Sequence, residues 1–171
     1  MQPWSHTHDI TMDTDEYVQS DAWIQHTQMM LDSYRHWIGA ELIARKGSPA
    51  AQAIALFEAP FVVVSHGTEA DPILNYANRT TLTLWQMEIA TLLTTPSRLT
   101  AEPMHRDERA RLLERTARDG YVDDYQGIRI SSTGRRFRID RATVWNLLDV
   151  AGQPAGQAAT FAEWHNLRAI D

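Results

Sequence analysis

Three groups of residues combine types and spacings that could do chemistry. Ser65 and His66 are adjacent with Asp71 close behind, the residue types of a nucleophile, a base and an orienting acid. In an extended segment neighbours point to opposite faces, so Ser65 and His66 cannot meet without a sharp turn. No G-x-S-x-G elbow presents the serine. The expected role of these polar residues is hydrogen bonding within their own loop. An enzyme would instead need an acid–base pair such as Glu88 or Asp71 with His66 in one cavity. The seven histidines, at 6, 8, 26, 36, 66, 105 and 165, include no helical His-x-x-x-His. His6 and His8 could touch a metal in extended chain, but two ligands without a third make a poor site.

The third group is arginine. Arg129, Arg136 and Arg138 fall on two predicted strands joined by Ser132-Thr133-Gly134. Alternation with Ile128, Ile130, Phe137 and Ile139 predicts that all three leave the sheet on one face. Three guanidinium groups there repel unless acids or an anion meet them. The candidates are Asp123, Asp124, the acidic N-terminal segment, or a ligand anion. Arg98, in the turn TPSR, either caps a helix end or reaches a pocket.

Composition removes whole classes of chemistry. There is no cysteine, so disulfides, thiolate nucleophiles, cysteine-ligated zinc or iron–sulfur clusters and cysteinyl-flavin adducts are excluded. The same absence fits a reducing compartment. With 171 residues, 43% apolar and 22% charged, the chain is sized and composed for one globular domain. No apolar run approaches the ~20 residues of a membrane-spanning helix, and the start lacks the blocks of a secretory signal. A cytoplasmic protein without membrane contact is expected. A net charge of −6 argues against nucleic acid as a partner.

The elements that must position these residues follow from periodicity. Residues 1–19 carry three Asp and one Glu without apolar spacing, and a mobile acidic tail is expected. From Ser20, a good N-cap, Trp23, Thr27, Met30, Leu31, Tyr34, Trp37, Ile38 and Leu42 form one face of a long helix ending at Gly47, with Gly39 a point for a bend or break. Ser48-Pro49 starts a short helix over 50–58. Strands follow over 61–65 and 73–77, joined through Asp71-Pro72. Asn78 caps a helix carrying Leu82, Leu84, Trp85, Ile89, Leu92 and Leu93 before Pro96. Residues 105–118 form an exposed helix with Asp107–Arg111 and Glu114–Arg118 pairs, Leu112 and Leu113 inward, and Gly120 as its stop. Strands over 121–132, 136–149 and 157–164 close the chain as an antiparallel meander. In the middle one, alternation groups Phe137, Ile139, Thr143, Trp145 and Leu147 on one face, opposite Val144 and Leu148.

Two strands, a helical middle and three strands is the element order of a PAS domain. Within it, SHGTEADPILNYANRTTLTLW (65–85), TPSRLTAEP (95–103), ERARLLERTARDGYVDDYQGIRISSTGRRFRI (108–139), VWNLLD (144–149) and GQAATF (156–161) closely resemble the MEKHLA family. The likeness spans residues 22–164. It implies an α+β, PAS-like five-stranded antiparallel sheet with helices inserted between strands 2 and 3. An N-terminal helical extension (20–58) precedes the 61–164 core, so that 20–171 is one domain. The family also occurs at the C-terminus of plant class-three homeodomain-leucine-zipper transcription factors, after a lipid-binding START domain; this chain resembles the free-standing microbial form.

The resemblance implies a cavity over the sheet. It would be walled by Asn75, Tyr76, Trp85, Met87, Tyr125, Trp145 and Thr160, with Arg98, Arg129 and Arg136 as anchors for an anion. Haem-binding PAS domains use a histidine before the third strand; His105 lies near that stretch, but one exposed histidine at a helix start is an unpromising ligand. The expected function is binding or sensing of an unidentified small molecule through a conformational or homodimeric equilibrium. A ligand-free dimerisation module is the alternative, and an enzyme on this scaffold a third.

Overall fold

Asp13 accepts a hydrogen bond from the Glu16 N–H at 2.9 Å and starts a helix, α1 (Thr14–Gln19), with Asp15 and Glu16 in its first turn, where acids suit the helix dipole. Val18 is buried and Tyr17 meets the Trp23 ring 6.3 Å away. The expected mobile tail is therefore corrected over residues 14–19, whose charges concealed two inward residues. A computed structural model describes residues 12–168; His6 and His8 lie outside the described residues.

Ser20 caps α2 (Asp21–Ile38) through the Trp23 N–H, and Gly39, at φ 79°, ends it. The break falls at Gly39 rather than Gly47, although Leu42 still packs on the same core. Ser48 caps α3 (Pro49–Phe57). Strands β1 (Val62–His66) and β2 (Leu74–Ala77) lead to α4 (Arg79–Trp85) and α5 (Ile89–Leu92). The single helix expected here breaks at Gln86, at φ 57°, a conformation that disfavours side chains. The turn at residues 131–133 holds it: Ser132 Oγ donates to the Gln86 carbonyl at 2.6 Å, and Ser131 Oγ to its side-chain oxygen at 2.7 Å. Two 3₁₀ turns (Ser97–Thr100 and Pro103–His105) precede α6 (Arg106–Asp119). On α6 the pairs formed are Arg115 with Asp124 and Arg118 with Asp119, in place of the expected i,i+4 pairs.

β3 (Tyr121–Ile130), β4 (Arg136–Leu148) and β5 (Pro154–Phe161) complete an antiparallel sheet ordered β2-β1-β5-β4-β3. A sixth short strand, β6 (Trp164–Asn166), pairs with Phe137, Arg138 and Ile139 of β4. On one face α2 packs its Trp23, Met30 and Leu31 against Tyr76, Trp145 and Leu147. The other face, with Val62, Phe137, Ile139, Ala142 and Phe161, meets α4 through Leu84 and Trp85 and α6 through Leu112.

Two compensating irregularities in the β3–β4 ladder decide which residues face that second layer. Val122 pairs with Val144 and Tyr125 with Ala142, three steps against two; Gly127 pairs with Ile139, two steps against three. Each extra residue reverses the alternation. Phe137 and Ile139 thus share a face with Ala142 and Val144, while Trp145 and Leu147 face α2. The single-face grouping expected for β4 is corrected accordingly. The common arginine face is corrected as well. Arg129 lies opposite Phe137 whereas Arg138 lies opposite Ile128 and Arg136 opposite Ile130, so Arg129 leaves the sheet on the face away from the other two.

Candidate ligand-binding cavity

Between the second sheet face and α4, α5, α6 and the Ser97–Thr100 turn lies a cavity of about 80 Å³. Small residues on the sheet make the room, chiefly Ala142 on β4 and Ala159 on β5. Leu74, Leu92, Leu112, Ile139, Val144 and Phe161 supply apolar walls. The polar groups come from separate elements: His66 on β1, Trp85 on α4, Ser97 and Thr100 on the turn, Arg109 on α6, Tyr125 and Arg129 on β3, Gln157 on β5. Among the described residues, no aspartate or glutamate lines it.

On β3 the residues Tyr125, Gly127 and Arg129 project in turn from one face. A Cβ at Gly127 would collide with the Tyr125 ring, so glycine is what lets that ring fold back along the strand. The Arg129 guanidinium sits 5.3 Å from the ring centroid, and its Nη1 donates to the Ile128 carbonyl at 2.9 Å. Arg129 is only 7% exposed. From the opposite layer, Arg109 donates to Ser97 Oγ at 2.5 Å.

Other arginines find acids: Arg98 pairs with Asp71, Arg136 with Glu102 and Arg138 with Asp140. Among the described residues, neither Arg109 nor Arg129 has a carboxylate within ion-pairing distance. Burial, and then the charge of Arg129, lower the Arg109 pKa to about 10 against weaker opposing help from Tyr125 and Asp71, so the Arg109 guanidinium stays charged at neutral pH. Three further polar atoms at the cavity are buried without a partner: His66 Nε2, Trp85 Nε1 and Tyr125 OH. His66 Nδ1 lies 3.0 Å from the Gly67 carbonyl, which can only accept, so Nδ1 carries the proton and Nε2 is an acceptor. Burial holds the His66 pKa below its ordinary value.

Of the residues proposed from sequence, Trp85, Tyr125 and Arg129 meet at this cavity. Met87 packs beside it on Val64 and Leu74 without lining it. Tyr76 and Trp145 sit on the α2 face, Tyr76 against Trp23 at 4.7 Å and Trp145 donating to the Met30 carbonyl at 3.3 Å. Thr160 donates to the Val62 carbonyl at 2.8 Å and borders a shallow surface groove. Asn75 accepts from Ser65, and Arg98 and Arg136 are in the ion pairs above. Glu88 and His105 are not among the lining residues, and Asp71 is engaged by Arg98. Arg109 was hidden in a segment read as exposed; its signal is the stripe Arg109, Leu112, Leu113, Thr116 at helical spacing.

A serine–histidine contact does exist, between Ser65 and His26 rather than His66. Ser65 Oγ donates to Asn75 Oδ1 at 2.5 Å, and His26 Nε2 lies 2.8 Å from the same Oγ. Because the hydroxyl proton is directed at Asn75, the imidazole must donate, the reverse of general-base activation. Ser65 is 2% exposed. The trio ties α2 to β1 and β2.

No curated protein matches the chain in sequence. Among solved structures, the PAS domain of a protein from Colwellia psychrerythraea superposes with a TM-score of 0.57 at 12% identity, covering 68% of this chain and 94% of that one. A light-oxygen-voltage domain studied with a flavin analogue gives 0.54 at 16% identity, covering 69% and 85%. The PAS domain, in complex with ethanol, of a LuxR-family transcriptional regulator from Burkholderia thailandensis gives 0.50 at 19% identity, covering 67% and 95%. These likenesses are of fold. A flavin or haem does not fit this cavity, since pockets for ligands of that size run to at least ~300 Å³ and this one is about 80 Å³. The MEKHLA domain profile matches residues 24–166, most of the chain and all of the sheet, and the protein therefore belongs to the MEKHLA domain family.

Proposed function

We propose that this PAS-like domain is a sensory module whose cavity binds a small molecule, with occupancy shifting a conformational or dimeric equilibrium. The observation that carries the reading is a largely apolar cavity lined by two arginines without a carboxylate partner and by three residues, His66, Trp85 and Tyr125, that each hold a buried polar atom without a hydrogen-bond partner. The PAS relative from Burkholderia thailandensis was solved with ethanol, a ligand on the scale of this cavity. The strands that floor the cavity carry Trp145 and Ser65 on their other face, against α2, so a change in strand position reaches that helix directly. α2 itself is anchored in the core by Met30 and Leu31.

Native mass spectrometry of freshly purified protein, with analysis of the denatured extract, tests this. A small molecule in near-stoichiometric amount is expected from the wild type and its loss from Ala142→Leu, which fills the cavity. A ligand-free protein that is nevertheless a stable dimer would support the interaction-module alternative instead.

A further inference from the structure

Resting on that reading, we infer that the ligand is a small carboxylate, its anionic head held between Arg109 and Arg129 and its short apolar body against the leucine, isoleucine and phenylalanine walls.

Two guanidinium groups from opposite layers of the fold are brought to one cavity that contains no acid. Among the described residues each makes a single hydrogen bond, to Ser97 and to the Ile128 carbonyl, although a guanidinium has five N–H donors. Unpaired buried cations are unfavourable, and repulsion between two of them adds to this. An oxyanion answers both charges and takes up free donors, with Trp85 Nε1 and Tyr125 OH available beside them.

Size and polarity narrow the class. At about 80 Å³ the cavity matches roughly two or three waters' share of liquid volume, room for an organic acid of a few heavy atoms. Leu92, Leu112, Ile139 and Phe161 would face a bare inorganic ion with nothing to bury, whereas a short chain or small ring satisfies them.

Isothermal titration of the dialysed full chain, at fixed pH and sodium chloride concentration, separates the possibilities. The probes are propionate, butyrate and benzoate, their neutral counterparts propanol, butanol and benzyl alcohol, and inorganic phosphate. At least one carboxylate is expected to bind saturably, its alcohol at least about tenfold more weakly. Arg129→Met and Arg109→Met should each weaken it by roughly ten- to a hundredfold, without lowering the melting temperature of the ligand-free protein, because each removes an unpaired buried charge. If one variant misfolds, the other gives the same reading. Alcohols that bind as well as the acids, unchanged carboxylate affinity in both arginine variants, or phosphate alone binding would each overturn the carboxylate inference while leaving a binding cavity in place. Failure of every probe, charged and neutral, would overturn the cavity reading with it.

Discussion

Asn78→Ala is expected to destabilise the domain by about 3–5 kcal/mol, far beyond the ~1 kcal/mol of an ordinary helix cap. Asn78 is wholly buried. Its Oδ1 accepts from the Val63 N–H at 3.1 Å and the Thr81 N–H at 3.2 Å, while its Nδ2 donates to the Leu56 carbonyl at 3.2 Å and the Phe61 carbonyl at 2.7 Å. One side chain thus joins the end of α3, the entry to β1 and the start of α4, and truncation leaves the Thr81 N–H and the Phe61 carbonyl without these bonds and weakens the Val63 N–H and Leu56 carbonyl, which keep Thr81 Oγ1 and the Ala59 N–H. Asn78→Asp sharpens the test. Aspartate caps as well as asparagine but turns a carboxylate oxygen toward two carbonyls, so it should be at least as damaging as alanine. Urea denaturation measures both, and an Asp variant within about 1 kcal/mol of wild type would be incompatible with these four bonds.

Acid should weaken the domain through His26 well above the pH at which carboxylates titrate. Burial lowers its pKa from 6.5 to about 4. The unfolded chain therefore takes up a proton near pH 6.5 that the folded state refuses until about pH 4. Stability is fully present above 6.5 and falls as the pH drops through that window, by up to about 3 kcal/mol. His66, also lowered by burial, adds in the same direction. His26→Gln can still donate to Ser65 but cannot titrate. Urea midpoints between pH 7 and pH 4 should fall steeply for the wild type and much less for the variant. Equal slopes would show that His26 is not the neutral donor of the Ser65–Asn75 trio.

Local signals were the legible part of the fold. Ser20, Ser48 and Asn78 could be assigned as caps because a cap is decided by a residue and its third neighbour. The strands from 61 to 164 stood out through β-branched runs and turn residues. What the sequence could not show was non-local. The paired irregularities in β3 and β4 depend on how two strands meet, yet they decide that Ile139 and Ala142 share the cavity face, and the register of the hairpin, equally non-local, parts Arg129 from Arg138. Gln86 interrupts a helical pattern because the distant 131–133 turn grips it. In α1 two inward residues among acids gave too little periodicity to register. At the cavity, Trp85, Tyr125 and Arg129 were visible as aromatic and cationic residues on the right elements. Arg109 was not, since a charged residue on a highly charged helix reads as solvated unless its register with Leu112 and Thr116 is weighed.

The central claim, that a ligand enters between the sheet and α4–α6, is tested most directly by the indole N–H signals in ¹H–¹⁵N NMR during titration with butyrate or benzoate. Trp85 Nε1 lies at the cavity without a partner, whereas Trp145 Nε1 and Trp37 Nε1 donate to the Met30 and Asn146 carbonyls on other parts of the fold. A saturable shift of the Trp85 signal, with Trp145 and Trp37 nearly unmoved, is the predicted result. A Trp85 signal that stays in place at saturating ligand, or that drifts linearly together with the other indoles, would contradict it.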